Sequence, residues 1–303
     1  MADGTIVSFP GLGIGEIKLN PVAISNAFGV EGLDIRWYAL IICTGIICAF
    51  AYFLRRGKRT EMLLEDDLLN VALFAVPIGV VGARFLYVIT NLETYDGFKE
   101  MINIRNGGLA IYGGIIFGAL TIFVYSCIKK QNPLKYYDAI CPGVMLAQAI
   151  GRWGNFMNGE AYGVGYGAEK MPWRMVVQKY ELVDGVAETG GYLQKVTHPT
   201  FLYESLWNLL GFVIANILYK NKKFDGRIFT FYVAWYGFGR AWIEFLRHDS
   251  LMIGNQKLMV YLGFLTCAAA VAAHIYLYKR NDKEIEAYKQ SKTLTEETAN
   301  DNT

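Results

Sequence analysis

The feature that most constrains this 303-residue chain is a series of seven long apolar stretches. A helix crossing a bilayer core needs roughly 20 mostly apolar residues, and the segments at about 36–54, 68–90, 108–128, 137–154, 200–219, 228–247 and 258–278 meet that need. Only 18% of the residues are charged, below the roughly 25% of an ordinary soluble domain. The expected fold is an all-α polytopic membrane protein with seven transmembrane helices. A net charge of +2 without a strongly basic domain gives no reason to expect a nucleic-acid partner. The cysteines at 43, 48, 127, 141 and 267 all fall in apolar stretches, with neither a disulfide framework nor zinc spacing.

Lysine and arginine in short loops set the orientation. Arg55, Arg56, Lys58 and Arg59 follow span one, and Lys129, Lys130 and Lys135 separate spans three and four. Lys220, Lys222, Lys223 and Arg227 separate five and six, and Lys279, Arg280 and Lys283 follow seven. With seven spans these groups share one side, against Lys99, Arg105 and Lys257 on the other. The N-terminus is therefore expected outside and the C-terminus in the cytoplasm. Residues 1–20 lack the basic start, apolar core and small-residue cleavage site of a signal peptide, so span one is expected to act as an uncleaved insertion signal. Residues 1–279 read as one transmembrane domain, with a small outer insertion at 155–197 between helices four and five. That insertion carries a hairpin around Val183–Gly191. Residues 280–303 read as a charged cytoplasmic tail, a short helix fraying into disorder.

Spans two, four and six carry charge, and their polar faces are expected to turn into the bundle. At a rise of about 1.5 Å per residue, Arg84, Arg152, Arg240 and Glu244 lie about 18–24 Å above the inner boundary, in the outer half of the core. Arg36, Tyr38, Tyr112 and Glu204 lie near the outer starts of their spans. Duller roles remain open for several of them. Arg36 and Tyr38 beside Trp37 suit an interfacial belt, Arg247 suits snorkelling to headgroups, and Arg240 and Glu244, four apart, suit mutual neutralisation. Glu204 shares a face with Asn208 and is placed to pair with one of the arginines; His198 before Pro199 suits a cap. Arg84 and Arg152 have no acid on their own helix at pairing distance. Guanidinium groups in surplus over acids at one depth call for an anionic ligand, and a phospholipid headgroup fits. A ring-forming channel fits less well, because the arginines sit at differing depths on separate helices. Close packing is the alternative role for the glycines of the 107–114 run.

At span four the chain reads Gly151-Arg152-Trp153-Gly154-Asn155-Phe156-Met157-Asn158-Gly159-Glu160. This string closely resembles the signature of the bacterial phosphatidylglycerol–prolipoprotein diacylglyceryl transferases. Other matching pieces follow in order: Arg36-Trp37-Tyr38, Gly107-Gly108-Leu109 with Gly113-Gly114, His198-Pro199-Thr200 through Leu202-Tyr203-Glu204, and Tyr236-Gly237 followed by Arg240 and Glu244-Phe245-Leu246-Arg247. The resemblance implies a multi-pass enzyme of the bacterial cell membrane whose site faces the outer leaflet. Its partners would be phosphatidylglycerol and the signal peptides of preprolipoproteins with a lipobox cysteine, and the surrounding membrane lipid. It implies no cofactor and no metal.

The implied reaction moves a diacylglyceryl group onto the cysteine thiol, with Arg152 and Arg240 stabilising the departing phosphate. Arg152, Asn155, Asn158, Tyr38, Glu204, Tyr236 and Arg84 are the implied substrate-binding residues, and Arg152, Arg240, Tyr112 and Glu160 the implied catalytic ones. In some family members a histidine proposed as the thiol's base stands between the two glycine pairs; here Tyr112 takes that place. A phenol is a weak base at neutral pH unless positive charge nearby eases its ionisation. Tyr112 is therefore expected to position substrate or to act through such a shift, and the base is left unassigned. A lipid-binding or transport protein without chemistry is the competing class.

Overall fold

The computed structural model describes residues 5–95, 97–104, 107–163, 165, 167–183, 186–247, 252–253 and 256–300. Arg105 and the tip of the expected hairpin at 184–185 lie outside the described residues. Each apolar stretch is a helix: α1 Trp37–Arg59, α2 Glu65–Thr90, then the short α3 Phe98–Ile102, α4 Ile111–Ile128, α5 Pro133–Met157, α6 Thr200–Lys220, α7 Arg227–Phe245 and α8 Leu258–Asn300. Their ends follow from local chemistry. Glu65, Asp66 and Asp67 place acids in the first turn of α2, where the helix dipole favours them. Proline opens α5, where its missing N–H has no intrahelical partner to lose. Gly226 precedes α7 at φ 91°, a backbone that glycine adopts without a Cβ clash.

Five helices are long and apolar enough to cross a membrane: α1, α2, α4, α6 and Leu258–Ala287 of α8. α5 and α7, which hold Arg152, Arg240 and Glu244, have comparable length but fall outside that set. α2 qualifies despite Arg84. Two features differ from the sequence expectations. The stretch from Arg280, expected to fray, continues α8 to Asn300. The protein is mostly helical and not all-α, because a four-stranded antiparallel sheet joins the N-terminal segment to the outer insertion. Its order is β2-β1-β5-β6, from β1 Thr5–Phe9, β2 Ile14–Leu19, β5 Met175–Val183 and β6 Val186–Thr197. Between them come β3 Val22–Ile24 and β4 Ile35–Arg36, which form a hairpin, and after α7 come β7 Met252–Ile253 and β8 Gln256–Lys257. The expected hairpin is thus larger than anticipated, pairing Met175 with Thr197 and Val183 with Val186.

The chain divides into two compact units, 51–140 and 1–50 with 141–303. In the first, α2 and α4 pack through glycine: a Cβ on Gly113 would lie 2.2 Å from the Gly82 carbonyl oxygen. Phe53, Leu63, Leu68, Val71, Ile122, Tyr136 and Ala139 form its buried core. At one end, buried Asp67 accepts hydrogen bonds from Tyr125 Oη and Gln131 Nε2, both at 2.8 Å, and pairs with Lys129 at 3.2 Å. The hydrogen bond with that carboxylate holds the Lys129 ammonium above its ordinary pKa.

In the second unit, small residues bring α1 close to α5. Gly143 would meet Ala49 and Gly45 would meet Ala147 if either carried a Cβ. The sheet covers a cluster of Val7, Phe9, Leu19, Met175, Val177 and Phe201, with Phe156 packed against it.

Candidate active site

The Gly-Arg-x-Gly-Asn string occupies the last turns of α5, and its final residues fold back on the helix end. Gly159 N–H donates to Phe156 O at 2.9 Å and Glu160 N–H to Asn155 O at 3.1 Å. These two bonds form a Schellman stop, which requires a left-handed residue at the glycine. Gly159 adopts φ +60°. A Cβ there would also lie 2.7–2.9 Å from three side-chain atoms of Thr5 on β1. The reversal swings the Glu160 carboxylate over the amides that precede it, and its Oε1 accepts from Asn155 Nδ2 at 3.1 Å and Asn158 Nδ2 at 3.3 Å. Asn158 Oδ1 is buried and has no hydrogen-bond partner among the described residues. Tyr38, at the start of α1, lies against Gly154, where a Cβ would come within 3.0 Å of its ring.

One turn before Asn155 and Phe156, Arg152 meets a partner that the sequence of its own helix does not provide. Its guanidinium is ion-paired with Glu204 of α6. The other oxygen of Glu204 receives Arg247 Nη1 at 3.3 Å. Arg247 Nε lies 3.9 Å from Glu244, and Glu244 takes Arg240 Nη2 at 2.8 Å. Arg247 and Arg240 are close enough for their charges to act on Arg152. The result is a chain of alternating charge, Arg152–Glu204–Arg247–Glu244–Arg240, with three guanidinium groups around two buried carboxylates. One expectation is met and one corrected: Glu204 pairs with Arg152, one of the arginines it was placed to meet, and Arg247 turns inward to the carboxylates and does not snorkel. Both outcomes follow from the cost of leaving buried carboxylates without a counter-charge.

The surrounding framework fixes these groups. Gly163 makes an antiparallel bridge with Arg247, and its N–H donates to His198 O at 3.0 Å. Thr200 Oγ1 donates to Ala161 O at 2.7 Å. His198 is buried with Nδ1 3.3 Å from Tyr203 Oη, which suits a structural part. Asn208 donates to the Glu204 carbonyl of its own helix at 2.8 Å. Tyr236, one turn before Arg240, stacks with Tyr232 at 6.0 Å, and Tyr232 accepts from Gln148 Nε2 at 3.2 Å. Lys257, read from sequence only as a loop charge, donates to the carbonyls of Glu244, Phe245 and Arg247 at 2.8–3.1 Å. It closes the carbonyl end of α7 beneath two members of the charge chain. Nothing in the local sequence marks it for that task.

Arg84 and Tyr112 belong to the other unit. Arg84 is committed to the main chain: Nε donates to Met101 O at 2.7 Å, Nη2 to Glu100 O at 2.7 Å, and Nη1 to both Gly107 O and Gly108 O at 2.9 Å. Gly107 and Gly108 take φ +82° and +78°, which turns their carbonyls onto that single guanidinium. In the structure Arg84, expected among the substrate-binding residues, supports a loop through these four carbonyls. The same loop leads through Ala110, whose N–H donates to Ala83 O at 3.0 Å, into α4 and the half-exposed Tyr112. The glycine run therefore divides in function. Its first pair turns the loop and Gly113 packs α4 on α2.

The site is helical, rich in arginine and closed by an asparagine-glycine-glutamate turn. The family model described as prolipoprotein diacylglyceryl transferase matches residues 25–278. A protein of Clostridioides difficile (strain 630) named phosphatidylglycerol–prolipoprotein diacylglyceryl transferase is 40% identical over 260 residues, 86% of this chain and 97% of the relative. Proteins of the same name from Streptococcus uberis and Streptococcus mutans are 38% and 40% identical, over 90% and 87% of this chain and 100% and 96% of their own lengths. The chain belongs to the prolipoprotein diacylglyceryl transferase family.

Proposed function

We propose that this protein transfers the sn-1,2-diacylglyceryl group of phosphatidylglycerol to the lipobox cysteine of preprolipoproteins, the first step of bacterial lipoprotein maturation. The cysteine sulfur attacks the glycerol carbon that bears the phosphate ester, a thioether forms, and the C–O bond breaks. Its electron pair goes to the phosphate oxygen, so glycerol phosphate leaves, and the thiol proton passes to a base. Because the thiolate is the nucleophile, that proton must be lost before or as the sulfur attacks.

The observation that carries this reading is the charge chain, in which three guanidinium groups stand, among the described residues, around two carboxylates. Arg152 and Arg240 stand at its two ends, each held by a carboxylate on one side. Groups fixed in this way stabilise the charge that gathers on phosphate as the bond breaks, with little reorganisation at the moment of reaction. The free Asn158 oxygen accepts a glycerol hydroxyl in this reading. Asn155 and Glu160 order the turn, and Tyr38 and Tyr236 line the lipid site. Tyr112 and Glu160 are the candidates for the proton acceptor.

The proposed setting is the bacterial cell membrane, crossed seven times, with the N-terminus outside, the C-terminus in the cytoplasm and the site facing the outer leaflet. α5 and α7 then cross with their charges turned inward. The basic residues at the end of α1, after α4 and α6, and beyond the apolar part of α8 support that orientation. Residues 280–303 form its cytoplasmic tail. The test is to reconstitute the protein in phosphatidylglycerol vesicles with a lipobox peptide and follow the peptide mass. Gain of one diacylglyceryl group is expected. Phosphatidylglycerol binding without that gain would leave a lipid-binding protein and no transferase.

A further inference from the structure

The β3–β4 hairpin carries apolar side chains outward on a rigid frame. Between its strands, Ala27 N–H donates to Leu33 O at 2.7 Å, Val30 N–H to Ala27 O at 3.2 Å and Leu33 N–H to Val30 O at 3.2 Å. Asn26 ties the loop a second time: its N–H donates to Asp34 Oδ1 at 3.1 Å, and its Oδ1 accepts from Gly32 N–H at 3.0 Å. Ala27 is buried beneath the loop. At the tip, Phe28 is 92% exposed. It also takes φ +58°, a left-handed backbone that is unusual for a bulky side chain. Ile24, Val30 and Leu33 are exposed around it. A cross-tied loop that holds a phenylalanine outward against its own backbone preference needs an apolar environment to receive it.

The hairpin's position identifies that environment. Its base joins α1 directly, where Trp37 N–H donates to Pro21 O at 2.9 Å. The apolar surface then continues along α1 through Leu40, Ile46, Ile47 and Phe50, all exposed on a helix fit to cross a membrane. Trp37 and Tyr38 stand at the junction, the residue types that favour the headgroup depth. The hairpin's one basic residue is Arg36 at its base, while the loop between the strands carries Glu31 and Asp34 and no lysine or arginine. The tip therefore offers no positive charge to anionic lipid.

We propose that the β3–β4 hairpin is a membrane anchor, with Phe28, Val30 and Leu33 seated in the headgroup–acyl boundary of the leaflet at the Trp37 end of α1. Its partner is the phospholipid surface itself, held by apolar burial and indifferent to headgroup charge. The anchor fixes the depth at which α1 begins, and with it the depth of Tyr38. It does not depend on the reaction assigned above.

The test places benzoylphenylalanine at Phe28 of the full chain in nanodiscs of phosphatidylcholine and, separately, of phosphatidylcholine with phosphatidylglycerol. Ile47, exposed on α1, serves as the reference position. Irradiation is expected to give a lipid adduct at position 28 with about half the Ile47 yield or more, equally in both lipids. A lower yield overturns the proposal, as does an adduct that forms only when phosphatidylglycerol is present. With lipobox peptide added, a peptide adduct that replaces the lipid adduct also overturns it, because the loop would then be a peptide-docking surface.

Discussion

Glu204 and Arg152, on neighbouring helices of the chain's larger unit, are the pair from which the rest of the site is hung. The same carboxylate also receives Arg247, so one side chain of α6 gathers arginines from α5 and from the end of α7. Glu204→Ala leaves two guanidinium groups facing each other with their shared counter-charge removed. Breaking a buried pair in this way costs about 3–5 kcal/mol. The thermal midpoint in detergent should fall accordingly, and transfer should be lost with it. Glu204→Gln, which keeps the shape, should sit between the two. An unchanged midpoint for the alanine variant would show that Glu204 does not organise the arginines.

Gly159 carries two independent demands, a left-handed backbone and the nearness of Thr5. Gly159→Ala is therefore expected to destabilise by more than the roughly 1–2 kcal/mol of the backbone term alone. It should also lower transfer, because the turn carries Glu160 and Asn158. The matching control is Gly167→Ala. Gly167 too has a positive φ, but nothing crowds its Cβ position, so only the backbone cost should register in a melting curve.

Tyr112→Phe keeps the ring and removes the hydroxyl. If Tyr112 positions substrate, kcat should stay within about tenfold of wild type while the peptide KM rises; loss of a general base typically costs 10²–10⁴-fold. The pH–rate profiles of Tyr112→Phe and Glu160→Gln then assign the base, since only the variant lacking it loses the rising limb.

Arg84→Met should act through the loop at 100–108. Four main-chain carbonyls lose their donor. Glu100 and Gly107 are exposed and can turn to water, so the cost of about 1–3 kcal/mol for an unpaired group falls on the half-buried Met101 and Gly108. Limited proteolysis should show new cleavage between α3 and α4, together with a lower melting midpoint. A variant that resists cleavage and melts normally, yet binds phosphatidylglycerol more weakly, would return Arg84 to phosphate binding.

The helices were legible because a crossing segment is written as one continuous apolar run: the stretch read at about 36–54 is α1 Trp37–Arg59, and that at 200–219 is α6 Thr200–Lys220. The four-stranded sheet was not, because β1 finds its partner only when Ile6 meets Gln178, far along the chain. Long-range pairing of that kind leaves no local signal beyond a short run of β-prone residues. The site divides in the same way. Its arginines stood out as charges in apolar segments, and the turn at Gly159 was visible as a motif. Glu204 was legible as a partner for one of the arginines, though not for which; the carbonyls that answer Arg84 were hidden, since every residue possesses one.

The uneven count in the charge chain has a consequence for turnover. Among the described residues the chain holds three guanidinium groups and two carboxylates. In the reaction proposed above, a phosphodiester lipid brings one negative charge to it. The glycerol phosphate produced is a monoester carrying nearly two negative charges at neutral pH. In that reading the same arginines meet more negative charge after C–O cleavage than before it, because the electron pair of the broken bond stays on the phosphate. The added charge favours release of the leaving group toward water.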